Sequence, residues 1–287
     1  MRGAGISGTV PADGADLYFE RRGDGPPLLL IAGGGGDCGY YSALASLLAS
    51  EYTVLSYDRR GNSRSPRRDR RAAMTIAEQS ADAIAVLRAS GFGAARIFGN
   101  SGGATIALDL AAHHPEVTEA VVAHEPPVPR VLPDPGPALA LFDEIDRVRA
   151  AEGWQAAFIM FQIETGGIPA NRPDALTAVL DPAKVIPPGP LLDVMTRMSG
   201  NWEYMMTREL PAFIAYEPDF DAIRAGGSRV VLAAGTESHS PARLMAAEAV
   251  ARLGSAEVSV FPGGHTAPGG IPVAFAARLR EVLAGLA

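Results

Sequence analysis

The chain has 287 residues, 47% hydrophobic and 20% charged, with a formal net charge of −7. That length carries a large core, in one domain with an insertion or in two domains, and the acidic balance argues against nonspecific nucleic-acid binding and a basic membrane-surface helix. Cys38 is the only cysteine, which excludes an intramolecular disulfide and a thiolate metal cluster.

Met1–Ile6 has no apolar core of signal-peptide length. No stretch approaches the roughly 18 uninterrupted apolar residues of a membrane span, so the expectation is a cytoplasmic protein. Turns at Asp13-Gly14 and Gly23-Asp24-Gly25 frame a short hairpin around Leu17–Glu20. The run Pro27–Ala32 is continuously apolar, as in a strand buried on both faces. It ends in Gly33-Gly34-Gly35-Gly36, whose bare N–H groups can cradle an anion. A helix over Ser42–Leu48, a strand over Tyr52–Tyr57 and a helix over Met74–Ser90 follow. Arg67, Arg68, Arg70 and Arg71 read as a solvated loop rather than a phosphate site.

Next, an apolar run enters Gly99-Asn100-Ser101-Gly102-Gly103 and a small-residue helical pattern leaves it. A strand turning sharply into a helix strains its central residue and points the side chain out of the sheet. Gly99 and Gly103 stand where bulk would clash, and the Gly102 N–H falls at a helix N-terminus beside the Ser101 hydroxyl. This is the pattern of a nucleophile elbow. A strand over Ala120–Pro127 closes this half, and strands alternating with helices at short spacing imply parallel βαβ units.

From Pro127 to Asp221 the strands stop. Leu139–Ala151, Trp154–Glu164 and Leu191–Thr207 read as helices between proline-rich joints, an insertion over the sheet. The strands resume at Arg229–Gly235, followed by a helix over Pro241–Leu253, a strand over Glu257–Phe261, the turn Pro262-Gly263-Gly264-His265 and a helix over Pro272–Leu286.

With the glycine loop, the Asp58-Arg59-Arg60-Gly61-Asn62-Ser63-Arg64-Ser65 segment, the Gly99–Gly103 elbow and Gly263-Gly264-His265 in this order, the chain resembles the α/β-hydrolases from end to end. The resemblance implies an α/β fold with a mostly parallel eight-stranded sheet flanked by helices and a helical cap after strand 6. Residues 1–127 and 222–287 would form the core and 128–221 the cap. A serine hydrolase needs a base, and His265, beyond the last strand, is the candidate; His239 is a weaker rival, and His113 and His114 sit near a helix C-terminus where the dipole favours them structurally. The imidazole needs an orienting acid. Most relatives put an aspartate where Ser238 stands here. The carboxylates left are Glu237 and Glu125, the latter favoured because His124-Glu125-Pro126-Pro127 resembles the strand-6 acid of zearalenone-type lactonases. The resemblance assigns the oxyanion hole to the N–H groups of Gly102 and Gly34, with Gly33 and Gly35 as neighbours of the latter.

Substrate contacts are expected from the cap, at Trp202, Met206 and Phe161 first, with Phe158, Met160, Tyr204 and Met205 on the same helices. The apolar cap suggests a hydrophobic small-molecule ester or lactone as partner, cleaved through a Ser-His-Glu triad and an acyl-enzyme. No metal or organic cofactor, no nucleic acid and no membrane is called for. The proline-rich cap joints are candidate surfaces for a homodimer. The resemblance also admits C–C bond hydrolysis, perhydrolysis or a metabolite rearrangement at the same site, and a non-catalytic receptor on this scaffold is the remaining alternative.

Overall fold

The computed structural model describes residues 5–165, 168, 173–238, 240–255 and 257–286. Eight strands form one sheet: β1 (Ile6–Ala12), β2 (Ala15–Arg22), β3 (Pro27–Ile31), β4 (Thr53–Tyr57), β5 (Ala95–Asn100), β6 (Thr118–His124), β7 (Arg229–Gly235) and β8 (Ser259–Phe261), in the order β1-β2-β4-β3-β5-β6-β7-β8. The β1/β2 and β2/β4 pairs are antiparallel and all others parallel.

Strand alternation sorts the apolar runs into two layers. Leu28 and Leu30 of β3 face one side with Phe98 and Val122, where α1 (Ser42–Leu48) contributes Leu44 and Leu48 and the last helix contributes Phe275 and Leu279. Leu29 and Ile31 face the other side with Ile97 and Val121, under α2 (Ile76–Ala89) and α3 (Gly102–His113). Both faces are covered, so the central strands have no polar side, which is why they read as continuous hydrophobic runs.

Between β6 and β7 the described elements are helical: α4 (Gly136–Glu152), α5 (Trp154–Glu164), α6 (Pro173–Leu180), α7 (Pro190–Ser199), α8 (Trp202–Tyr204), a π-helical turn (Met205–Glu209), α9 (Leu210–Ala215) and α10 (Phe220–Gly226). The first of these pack around Ile145, Phe158, Met198, Trp202, Met205 and Met206. Phe220 and Ile223 of α10 are instead buried with the sheet. The continuous helix expected over Leu191–Thr207 is broken at Gly200-Asn201, where the Asn201 amide turns away to donate to Gly35 O (2.6 Å) and Ser63 Oγ (2.8 Å). Helix α6 was not expected; Pro173 at its first position was the available signal. The chain ends with α11 (Ser240–Leu253), a short α12 (Ala267–Gly270) and α13 (Pro272–Gly285). Among the described residues no helix is long and apolar enough to cross a membrane.

Candidate active site

The β5–α3 turn carries Ser101 at φ 56°, ψ −127°, a conformation that costs a non-glycine residue about 1–3 kcal/mol. Two close approaches hold it there. A Cβ on Gly99 would stand 2.2 Å from Gly103 O, and one on Gly103 would stand 2.1 Å from Ile31 O. Only glycine lets helix and strands meet, which is why the elbow pattern was legible. Ser101 N donates to His124 O (2.9 Å). Gly102 opens α3, where the first-turn N–H groups lack helical acceptors, and the Phe213 ring covers its outer face.

Glu125 follows β6 with φ 51°, the second strained side chain of the site. Its N–H donates to Ala233 O (2.9 Å). Oε2 lies 2.7 Å from His265 Nδ1, while Oε1 accepts from Gly235 N (2.8 Å) and from the Ser238 hydroxyl. Burial would raise this carboxyl, but the hydrogen bond and charge of His265, with help from His124 and the Gly235 N–H, outweigh it and hold the pKa at about 2. Glu125 is fully buried at its side chain, whereas His265 is 38% exposed toward the cavity. Of the two carboxylates left open by the sequence, Glu125 is therefore the one hydrogen-bonded to His265; Glu237 is exposed. His239 lies outside the described residues. His113 pairs with Asp109 (3.1 Å), and His114 lies 3.6 Å from Glu116.

Ser101, His265, Gly33, Gly34 and Gly102 all line one cavity of about 810 Å³, roofed by Phe161, Met198, Trp202 and Met205. Met206 is a correction. It is buried in the cap cluster and lines a separate cavity of about 470 Å³ behind it, because the π turn shifts the register and puts Met205 over Gly34 instead. Phe158 stacks on Trp202 with ring centroids 4.8 Å apart, as part of the cap's own core.

The sequence reading missed the residues behind the imidazole. Ser238, standing where relatives carry an acid, donates to the acid that replaces it. Asn100 Nδ2 donates to His265 O (3.3 Å), and Asn100 Oδ1 is 2.6 Å from His124 Nδ1. His124 is packed edge-on against Phe261 and Phe275. Its Nε2 is buried 4.0 Å from Glu125 Oε1. Burial, more than offsetting the pull of Glu125, lowers the His124 pKa from 6.5 to about 4. The folded protein thus keeps His124 neutral while the unfolded chain gains a proton below pH 6.5. Stability should fall by about 3 kcal/mol between pH 6.5 and 4 from this residue. Urea unfolding of the parent and His124→Gln across that range checks it: the parent's curve is steeper, and parallel curves would refute it.

A family model for the alpha/beta hydrolase fold matches residues 26–159. Over 282 residues, 96% of each chain, the sequence is 29% identical to the uncharacterized hydrolase YraK of Bacillus subtilis (strain 168). The chain has the α/β-hydrolase fold. The chain is also 30% identical over 118 residues to the zearalenone hydrolase of Cladophialophora bantiana, covering 40% of this chain and 44% of that one. Among solved structures, the enol-lactonase from Burkholderia xenovorans LB400 matches with a TM-score of 0.70 at 17% identity, over 96% of this chain and 100% of that chain, a likeness of fold. The eight-stranded, mostly parallel sheet flanked by helices is that of the alpha/beta hydrolase fold.

Proposed function

We propose that the hydrolase cleaves the carboxylic ester or lactone of an uncharged, hydrophobic small molecule through an acyl-enzyme. The observation that carries this reading is the 2.7 Å contact of His265 with the buried Glu125, at the wall of an apolar cavity that Ser101 also lines. The Glu125 carboxylate accepts the Nδ1 proton of His265, leaving Nε2 free to take the Ser101 proton. Ser101 Oγ attacks the carbonyl carbon, and the resulting oxyanion is received by the N–H groups of Gly34 and Gly102. Proton return from His265 expels the alcohol; water then repeats the sequence and releases the acid. With a lactone both fragments leave as one hydroxy acid. The likeness to a zearalenone hydrolase supports the lactone form. In this reading residues 128–221 act as the cap that selects the substrate.

The cavity's charge narrows the class. Its charged linings include Asp37, Asp134, Glu164 and Glu248, and no Lys or Arg lines it among the described residues. Asp37 is neutralised by Arg197, but Asp134, Glu164 and Glu248 leave the lining net negative, so neutral esters should exceed the half-esters of equally long dicarboxylic acids by about tenfold or more in kcat/KM. Equal or better turnover of the half-esters would refute this. The reaction itself is tested by intact mass after treatment with an alkyl fluorophosphonate. One adduct is expected on the parent and none on Ser101→Ala; a folded parent that takes no adduct overturns the reading.

A further inference from the structure

A second buried constellation lies directly behind the glycine loop. Arg59 is completely buried and forms two contacts with the completely buried Glu209 of the cap's π turn, Nη1–Oε1 at 2.6 Å and Nη2–Oε2 at 2.9 Å. Asn62 Nδ2 donates to the same Oε1 at 2.9 Å. The guanidinium also donates from Nε to Ala32 O and from Nη2 to Gly33 O, both at 2.9 Å. Burying two charges is costly, and an apolar pair of the same volume would often serve stability as well. The placement therefore asks for another explanation.

The peptide plane supplies it. A trans peptide is flat, so its C=O and N–H point in opposite directions; this chain contains no cis bond among the described residues. Anchoring Gly33 O on Arg59 aims the Gly34 N–H, the other end of that peptide, away from Arg59. Gly33 packs against Ser101 Cβ, and Gly34 faces Met205 of the cap. Gly36 N gives Gly33 O a second donor at 3.1 Å, and Gly35 O is held by Asn201. The loop is thus fixed from behind by a cation that the cap itself keeps in place.

We infer that Arg59 is a positioning residue for the oxyanion donor Gly34, and that Glu209 couples this donor to the seating of the cap. The inference rests on the hydrolase reading above. Arg59 does not line the cavity and reaches the reacting atoms through the Gly33–Gly34 peptide, so its loss weakens the transition state more than the ground-state complex.

The test measures kcat and KM on a neutral ester, and the affinity of an alkyl boronic acid, which forms a tetrahedral adduct with an activated serine. In Arg59→Lys, whose ammonium cannot hold two carbonyls and a carboxylate in one plane, kcat should fall about 10²-fold while KM stays within about threefold. Boronic-acid affinity should fall in parallel. Glu209→Gln, which keeps an acceptor for the guanidinium but removes the charge, should lose about tenfold in kcat by the same route and carries the test if Arg59→Lys does not fold. Arg197→Ala serves as control, because it breaks another cap–core ion pair, Arg197 Nε to Asp37 Oδ2 at 2.6 Å, without touching the Gly33–Gly34 peptide. It should stay within about threefold of the parent. The inference is overturned if folded Arg59→Lys or Glu209→Gln keeps parental kcat and boronic-acid affinity, or if Arg197→Ala loses as much. A parent that turns over no ester and binds no boronic acid overturns the hydrolase reading and this inference with it, which separates the two failures.

Discussion

Ser101→Ala is expected to lower kcat by about 10⁴-fold or more on any ester the parent hydrolyses, with the fold intact. The size follows from the chemistry: without Oγ there is no covalent intermediate, and what remains is the cavity and the oxyanion donors acting on water. The fold should survive because the strained φ of 56° at position 101 is imposed by the Gly99 and Gly103 contacts and by Ser101 N on His124 O, none of which needs the hydroxyl. Initial rates beside circular dichroism and thermal melting check both halves. Turnover within tenfold of the parent, in a folded variant, would remove Ser101 from the mechanism.

Glu125→Gln is expected to lower kcat by about 10³–10⁴-fold, and Glu237→Gln to change it less than about twofold. At position 125 the oxygen that accepts from Gly235 N and the Ser238 hydroxyl must stay an oxygen. The amide nitrogen then faces His265 Nδ1 and donates to it. The imidazole is driven to the tautomer with its proton on Nε2, where it cannot accept from Ser101. Stability gives a second readout with a definite sign. Folding lowers the Glu125 pKa from 4.5 to about 2, so its stabilisation is full above pH 4.5 and is lost as the pH falls through about 2. The melting gap between parent and Glu125→Gln should be largest above pH 4.5 and close on acidification. If Glu237→Gln were the crippled variant, the acid would have to be reassigned.

Arg59 and Glu209 qualify how the cap is understood. A cap bound only by apolar contact could swing without consequence for the chemistry. Here one cap carboxylate meets the same guanidinium that holds the Ala32 and Gly33 carbonyls where the glycine loop begins. On the proposal above, seating the cap and orienting the loop are one event, and substrates that prevent seating are expected to be disadvantaged in kcat as well as in binding.

By itself the sequence determined the layered α/β architecture, the elbow and the candidate nucleophile and base. Each rests on local rules: strands buried on two faces must be apolar throughout, as Pro27–Ala32 is, and a strand–helix turn without room for Cβ must read Gly-x-Ser-x-Gly. Long-range contacts were decided only by the tertiary structure. The sequence favours Glu125 over Glu237 but leaves both open until β6 and β7 lie side by side, which directs Glu125 inward beneath the Gly235 N–H and leaves Glu237 in solvent. Met205 and Met206 are adjacent in the chain and both pack in the cap's core, but only the folded insertion decides that Met205 also lines the cavity. Arg59 and Glu209 are 150 residues apart. No periodicity links them, since their pairing exists only because the insertion folds back over the glycine loop, and only in that folded-back geometry does a buried charge find the partner that its desolvation demands.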